Sequence, residues 1–339
     1  MTTSTPEPTG LIGTGTSPGA RRMRRVRTFR KAALPYLFIA PALIVLGVIM
    51  AFPMLRVFQM SLFQDLFSRE GEQFVGLKNY RDIFQCLDVG IGVRSSRAAL
   101  AAKSCSALFW PSLKNSLIFV SFSLVIHQIV GGGLALLLNE GRNTRFRSFM
   151  RGVFILPWLI IPAVVAMIWV LLLDPRGGFN STLRTLGIVE CCPFPEWFSS
   201  FDLAMAALIV TNGWAGYPFT MLMWLAGLQS IRTDLYEAAS VDGASRWQRF
   251  RHVTLPAMGP TIFTILLLDT IWTFRNWDLP WLTTGGGPGD TTMVLPLLTY
   301  REAFLGFRFG SSAAMAVMIL LITGFFVFWY LRIRGRLLD

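Results

Sequence analysis

The chain has 339 residues, of which 53% are Ala, Val, Ile, Leu, Met, Phe, Trp, Tyr or Cys and only 15% are charged, with a net charge of +12. Soluble domains carry about 25% charged residues and need a polar shell, so this composition excludes a water-solvated fold and points to lipid as the solvent. Two histidines and four cysteines supply little for a metal cluster or a histidine-dependent relay, and neither a metal site nor a catalytic residue is expected.

Residues 1–31 read as a disordered basic tail. Met1 to Gly19 is rich in Thr, Ser, Pro and Gly, which bury too little surface to offset ordering, and Arg21, Arg22, Arg24, Arg25, Arg27, Arg30 and Lys31 follow. The only Gly-x-Ser-x-Gly, Gly15 to Gly19, lies in that tail, where no strained strand-to-helix elbow can form, which argues against an intramembrane hydrolase. Residues 32–338 form the membrane domain. Its first uncharged run, Ala32 to Leu55, is too long for a signal-peptide core and is expected to remain as a helix. Further runs are Asn115 to Leu138, Gly152 to Leu173, Leu203 to Ile231 and Phe309 to Leu331; at ~1.5 Å per residue, about 22 residues cross one hydrocarbon core. A sixth, Val253 to Leu268, continues through Asp269 to Phe274. The fold class is therefore all-α, a polytopic membrane protein with six transmembrane helices.

Placing the N-terminus inside puts the whole +12 excess on that face and leaves the remainder balanced, as the positive-inside rule expects, so both termini are cytoplasmic. The basic excess then reads as contact with anionic lipid of the bilayer and not with nucleic acid. Residues 61–114 form an extracytoplasmic segment containing Val75-Gly76-Leu77-Lys78-Asn79-Tyr80. Cys86, Cys105, Cys191 and Cys192 all fall outside, where disulfides persist or free thiols remain. In the second run His127 reads as a hydrogen bonder between helices, and Gly131-Gly132-Gly133 as close packing or a bend.

The fourth run is interrupted by Asn212-Gly213-Trp214-Ala215-Gly216-Tyr217-Pro218-Phe219, and the fifth ends in Trp272-Thr273-Phe274-Arg275-Asn276-Trp277-Asp278. Amides and hydroxyls beside aromatic faces suit a sugar ring, although tryptophans at a helix end also serve as headgroup anchors. Asp269, costly at mid-helix, should face the interior and either touch solute or pair with Arg275 or another subunit. Between these runs lies the cytoplasmic loop 232–256. Glu237-Ala238-Ala239 favours helix, Gly243 can supply a positive φ, and Ser245 with Gln248 fits a capping box. The spacing predicts helix, tight turn, helix, with Trp247 and Phe250 on one face, suited to docking on a protein or resting on headgroups. Gly285-Gly286-Gly287-Pro288-Gly289-Asp290 demands a turn near the last outside segment.

Glu237-Ala238-Ala239, Gly243, Val253 and Leu255-Pro256 have the spacing of the EAA loop, and the chain resembles the permeases of binding-protein-dependent ABC importers. With Val75 to Tyr80, Leu225-Ala226-Gly227-Leu228-Gln229-Ser230-Ile231, Asp242-Gly243-Ala244 and Thr284-Gly285-Gly286-Gly287-Pro288, it is similar to their carbohydrate class, on the side of the larger maltose permease subunit. The resemblance runs from about Leu34 to Leu331. It implies a type I ABC importer permease fold in the bacterial inner membrane, not an enzyme, working with a second permease subunit, two ATP-binding subunits and an extracytoplasmic solute-binding protein. It places ATPase coupling on Glu237, Ala238, Ala239, Asp242, Gly243 and Arg246, and the substrate path on Asn212, Ala215, Gly216, Phe219, Trp272, Thr273 and Asn276. No cofactor is expected on this chain, ATP and Mg belonging to the ATPase partners. One departure is Arg232, where Pro is common. The competing reading is an ATP-independent channel or secondary carrier for a small polar solute.

Overall fold

A computed structural model describes residues 36, 38–64, 73–85, 108–140, 144–188 and 195–338. The tail 1–31 and all four cysteines lie outside these residues, as does most of the stretch between Cys86 and Cys105. Contacts divide the chain into residues 1–56 and 57–339.

The regular secondary structure of the described residues is helical apart from one isolated antiparallel bridge, Phe63 to Phe74. In chain order the helices are α1 (Phe38–Met60), α2 (Lys78–Gln85), α3 (Phe109–Asn139), α4 (Thr144–Leu159), α5 (Pro162–Leu172), α6 (Gly178–Thr185) and α7 (Ala204–Ser230). They continue as α8 (Thr233–Val241), α9 (Arg246–Phe274), α10 (Asp278–Thr283), α11 (Leu295–Tyr300) and α12 (Phe309–Leu338). Helices α1, α3, α9 and α12 are each long and apolar enough to cross a bilayer, and α4 with α5 makes a fifth candidate if that bent pair counts as one span. Helix α7 has 27 residues, but Thr211, Asn212, Trp214, Tyr217 and Pro218 dilute its apolar character.

The third run is not one straight helix. Helices α4 and α5 meet at 93°, because Pro162 removes a backbone donor and forces Ile161 out of helical geometry, to φ −63° and ψ 144°. Hydropathy is blind to this break. The sequence around α2 fastens the chain that leaves α1: Asn79 Nδ2 donates to the carbonyls of Ser61 (2.8 Å) and Phe63 (2.9 Å), and the Tyr80 hydroxyl bonds Ser61 Oγ at 2.7 Å.

Two apolar clusters stabilise residues 57–339. One gathers Phe109, Phe119, Leu208, Phe274, Leu295 and Met315; the other Ala135, Met221, Trp224, Met258 and Ile265. Along α3, α7 and α9 the polar residues His127, Asn212 and Asp269 fall between these two clusters. Helices α3 and α7 approach closely there, since a Cβ on Gly131 would stand 2.7 Å from the Tyr217 carbonyl. A π-helical turn, His127–Gly131, occurs at the same level. The glycine turn Gly285 to Asp290 is clamped: Asn115 Nδ2 donates to the carbonyls of Asp290 (3.1 Å) and Met293 (3.2 Å), and Arg301 pairs with Asp290 at 2.9 Å.

Candidate functional site

The polar layer opens into a cavity of about 820 Å³, including the part open to its surroundings. Helix α7 contributes Asn212, Ala215, Gly216 and Phe219, and the end of α9 contributes Asp269, Trp272 and Thr273 with Asn276 just beyond. All seven residues expected to line a substrate path thus stand around one cavity. Their aromatic faces come together, with Phe219 edge-on to Trp272 at 4.6 Å and Trp158 tilted against Phe219 at 6.2 Å. The other aromatics of the two polar stretches pack elsewhere: Trp214 against Trp169, and Trp277 stacked on Tyr300.

The floor is a hydrogen-bonded network. Asp269 is 5% and His127 2% exposed. His127 Nδ1 lies 2.9 and 3.0 Å from the two carboxylate oxygens of Asp269, and its Nε2 lies 3.1 Å from the Asn212 carbonyl. Thr273 Oγ1 donates to Asp269 Oδ1 at 3.2 Å, and Asn276 Nδ2 donates to Asn212 Oδ1 at 3.1 Å. Asp269 therefore pairs with His127, 142 residues away, and not with Arg275. Buried carboxylates need such a partner, and His127, the interhelical hydrogen bonder expected from sequence, supplies it. Gly216 makes the arrangement possible: a Cβ there would stand 2.3 Å from His127 Nε2.

Sequence reasoning did not place Pro157, Trp158, Ile160, Pro162 and Val165 in this wall, nor His127 and Asp269 on its floor. The signal for the first group was two prolines five residues apart in an apolar run, which mark a broken span facing protein.

The loop 232–256 takes the expected helix–turn–helix form. Helix α8 ends at Gly243, whose φ of +74° permits the bond from Ala244 N to the Ala239 carbonyl (2.9 Å) that closes a helix end. Ser245 then caps α9, with Ser245 Oγ accepting from Gln248 N and Gln248 Oε1 accepting from Ser245 N. Trp247 and Phe250 stack at 5.5 Å, and Trp247 is 66% exposed. Glu237, Ala238, Asp242, Gly243 and Arg246 are exposed and Ala239 half-buried on this hairpin. Arg232 pairs with Asp234 across the first turn of α8, and its φ of −65° is one that proline adopts. Among the described residues no group of three or more His, Cys, Asp or Glu is placed to hold a metal.

The family described as binding-protein-dependent transport system inner membrane component matches residues 131–338. The chain is 33% identical to the trehalose/maltose transport system permease protein of Thermococcus litoralis, over 91% of this chain and 95% of that one. It is 31% identical to the sn-glycerol-3-phosphate transport system permease protein of Agrobacterium fabrum, over 87% of this chain and 92% of that one. Among solved structures, it resembles a bacterial ABC transporter involved in the import of the acidic polysaccharide alginate, with a TM-score of 0.75 and 23% identity over 92% of this chain and 99% of that one.

Proposed function

The chain belongs to the family of binding-protein-dependent transport system inner membrane components, and from that premise we propose that it supplies half of the translocation path for a sugar in an ATP-driven importer. The family is one of permease subunits rather than catalysts. One observation carries the solute reading: aromatic faces and hydrogen-bonding side chains from α4, α7 and α9 converge on a single cavity between the two apolar clusters. Sugar rings bind by pairing hydroxyls with polar groups and C–H faces with aromatic ones. The sugar permease at 33% identity supports the same class.

In the proposed frame six spans cross the inner membrane: α1, α3, the broken pair α4 and α5, α7, α9 and α12, with both termini cytoplasmic. At ~1.5 Å per residue α7 reaches about 40 Å, enough to cross despite its polar middle. The permease domain is 32–338, with 61–114 outside and 232–256 inside as the coupling loop. There Glu237, Ala238, Ala239, Asp242, Gly243 and Arg246 would seat in a cleft of an ATP-binding subunit. The small alanines permit close approach and the Glu237 carboxylate suits a basic partner. A second permease subunit, two ATP-binding subunits carrying ATP and Mg, and an external solute-binding protein would complete the complex.

The test is purification of tagged chain in mild detergent, with mass spectrometry and an ATPase assay with and without sugars. Recovery of a second permease and an ATPase, with sugar-stimulated hydrolysis, is the expected result; a stable ATPase-free homo-oligomer would favour a channel or carrier. Glu237→Lys should abolish co-purification of the ATPase while leaving membrane insertion intact, and normal coupled transport by that variant would refute the coupling role.

A further inference from the structure

Relatives named for trehalose/maltose and for sn-glycerol-3-phosphate divide on whether the solute is charged, and the cavity lining bears on that division. Among the described residues no Lys or Arg lines the cavity. Arg275, two residues past Thr273, is exposed and is not part of the wall. The ionisable residues that do line it, His127 and Asp269, face each other. When the pair shares a proton the floor is neutral as a whole, whichever partner carries it; when the proton is lost the floor is negative. Neither state attracts an anion.

Hydrogen-bond inventory points the same way. Phosphate, sulfonate and carboxylate oxygens only accept, and the floor is already rich in acceptors: the Asp269 carboxylate, and the Thr273 hydroxyl, whose hydrogen is committed to Asp269. A buried donor left over on the floor is Asn212 Nδ2, an amide nitrogen without a partner among the described residues, on a residue 6% exposed. A sugar hydroxyl both donates and accepts, so it can give its hydrogen to Asp269 and take one from Asn212, while the ring's C–H faces rest on Phe219 and Trp272.

From this lining we infer that the permease passes an uncharged, polyhydroxylated solute of the sugar or polyol class and rejects its phosphorylated, sulfonated or uronate counterparts. The inference rests on the reading of the cavity as the solute path. It also assigns charge selection to the permease itself, independent of what an external binding protein delivers.

The experiment uses the chain in its purified transport complex without any solute-binding protein, and reads tryptophan fluorescence, since Trp158 and Trp272 line the cavity. Matched probes share a skeleton and differ in charge: trehalose and trehalose 6-phosphate, glucose and glucose 6-phosphate, glycerol and sn-glycerol 3-phosphate. At least one neutral member should bind, with its phosphate at least tenfold weaker. A phosphate binding as tightly as its neutral counterpart, or tighter, overturns the inference and leaves the solute path intact. No response to any member counts against the solute path itself. In Asp269→Asn both members of a pair should bind differently from the parent, the neutral probe more weakly because its hydroxyl loses a charged acceptor, and the neutral-to-phosphate affinity ratio should fall at least fivefold; an undiminished ratio removes Asp269 as its source.

Discussion

Asp269 and His127 should be worth far less to stability as a pair than their separate deletions suggest. Asp269→Leu leaves the imidazole without the carboxylate that faces its Nδ1 at 2.9 and 3.0 Å. His127→Leu leaves a carboxylate with only the Thr273 hydroxyl at 3.2 Å. Breaking a buried pair from one side costs about 3–5 kcal/mol, whereas replacing both partners by apolar groups is often close to neutral. Each single variant should therefore lose about 3 kcal/mol of stability, and the double variant should recover to within roughly 2 kcal/mol of the parent, a non-additivity of several kcal/mol where distant sites agree within about 0.5. The assay is denaturant unfolding of purified protein in mixed micelles, followed by tryptophan fluorescence, for the parent, both singles and the double. Additive losses would show that the two side chains do not act as a unit, and the floor of the cavity would need another explanation.

Three further outcomes follow from the geometry. Gly216→Ala, although favourable to helix propensity, places a methyl 2.3 Å from His127 Nε2; a net loss of about 1–3 kcal/mol in the same unfolding assay is expected, with weaker solute stimulation of ATPase activity. Trp272→Ala removes one of the paired aromatic faces and should weaken the best-binding sugar by about 3- to 10-fold in a fluorescence or calorimetric titration, in line with the roughly 0.5–1.5 kcal/mol of an aromatic contact. Arg232→Pro fits the existing backbone, with Ile231 already extended at ψ 131°, and should raise stability by about 0.4–1 kcal/mol with transport retained, since the exposed Arg232–Asp234 pair that it removes contributes little.

Several features were legible in the sequence because they depend on neighbours along the chain. The hairpin of α8 and the start of α9 follows from Gly243, Ser245 and Gln248, whose effects reach three or four residues. Four spans, or five with the bent pair, follow from uncharged length alone. The seven cavity residues came from amides, small residues and aromatics interrupting two otherwise apolar helices, together with a family resemblance. The pairing of His127 with Asp269 was not legible, because it joins residues 142 positions apart and Arg275 stood nearer in sequence. The break between α4 and α5 escaped notice for a different reason: hydropathy sums composition, while Pro162 acts on direction. Trp158, just before that break, reads in sequence as one more lipid-facing aromatic, yet it stands in the cavity wall.

Helix α9 runs for 29 residues, from Arg246 in the hairpin with α8, through a π-helical turn at Phe250–Thr254, to Phe274 at the cavity. Mechanically it would act as a lever: at ~1.5 Å per residue its working ends, Arg246 and Trp272, lie about 39 Å apart, and a tilt of about 10° would shift one end relative to the other by roughly 7 Å. A load seized at Trp247 would then reach Trp272, Thr273 and Asp269 as displacement. The fulcrum would fall where α9 crosses α7, so the bulk of the side chains at that crossing, Met258 and Ile265 against Met221 and Leu225, would set the gearing between the two ends.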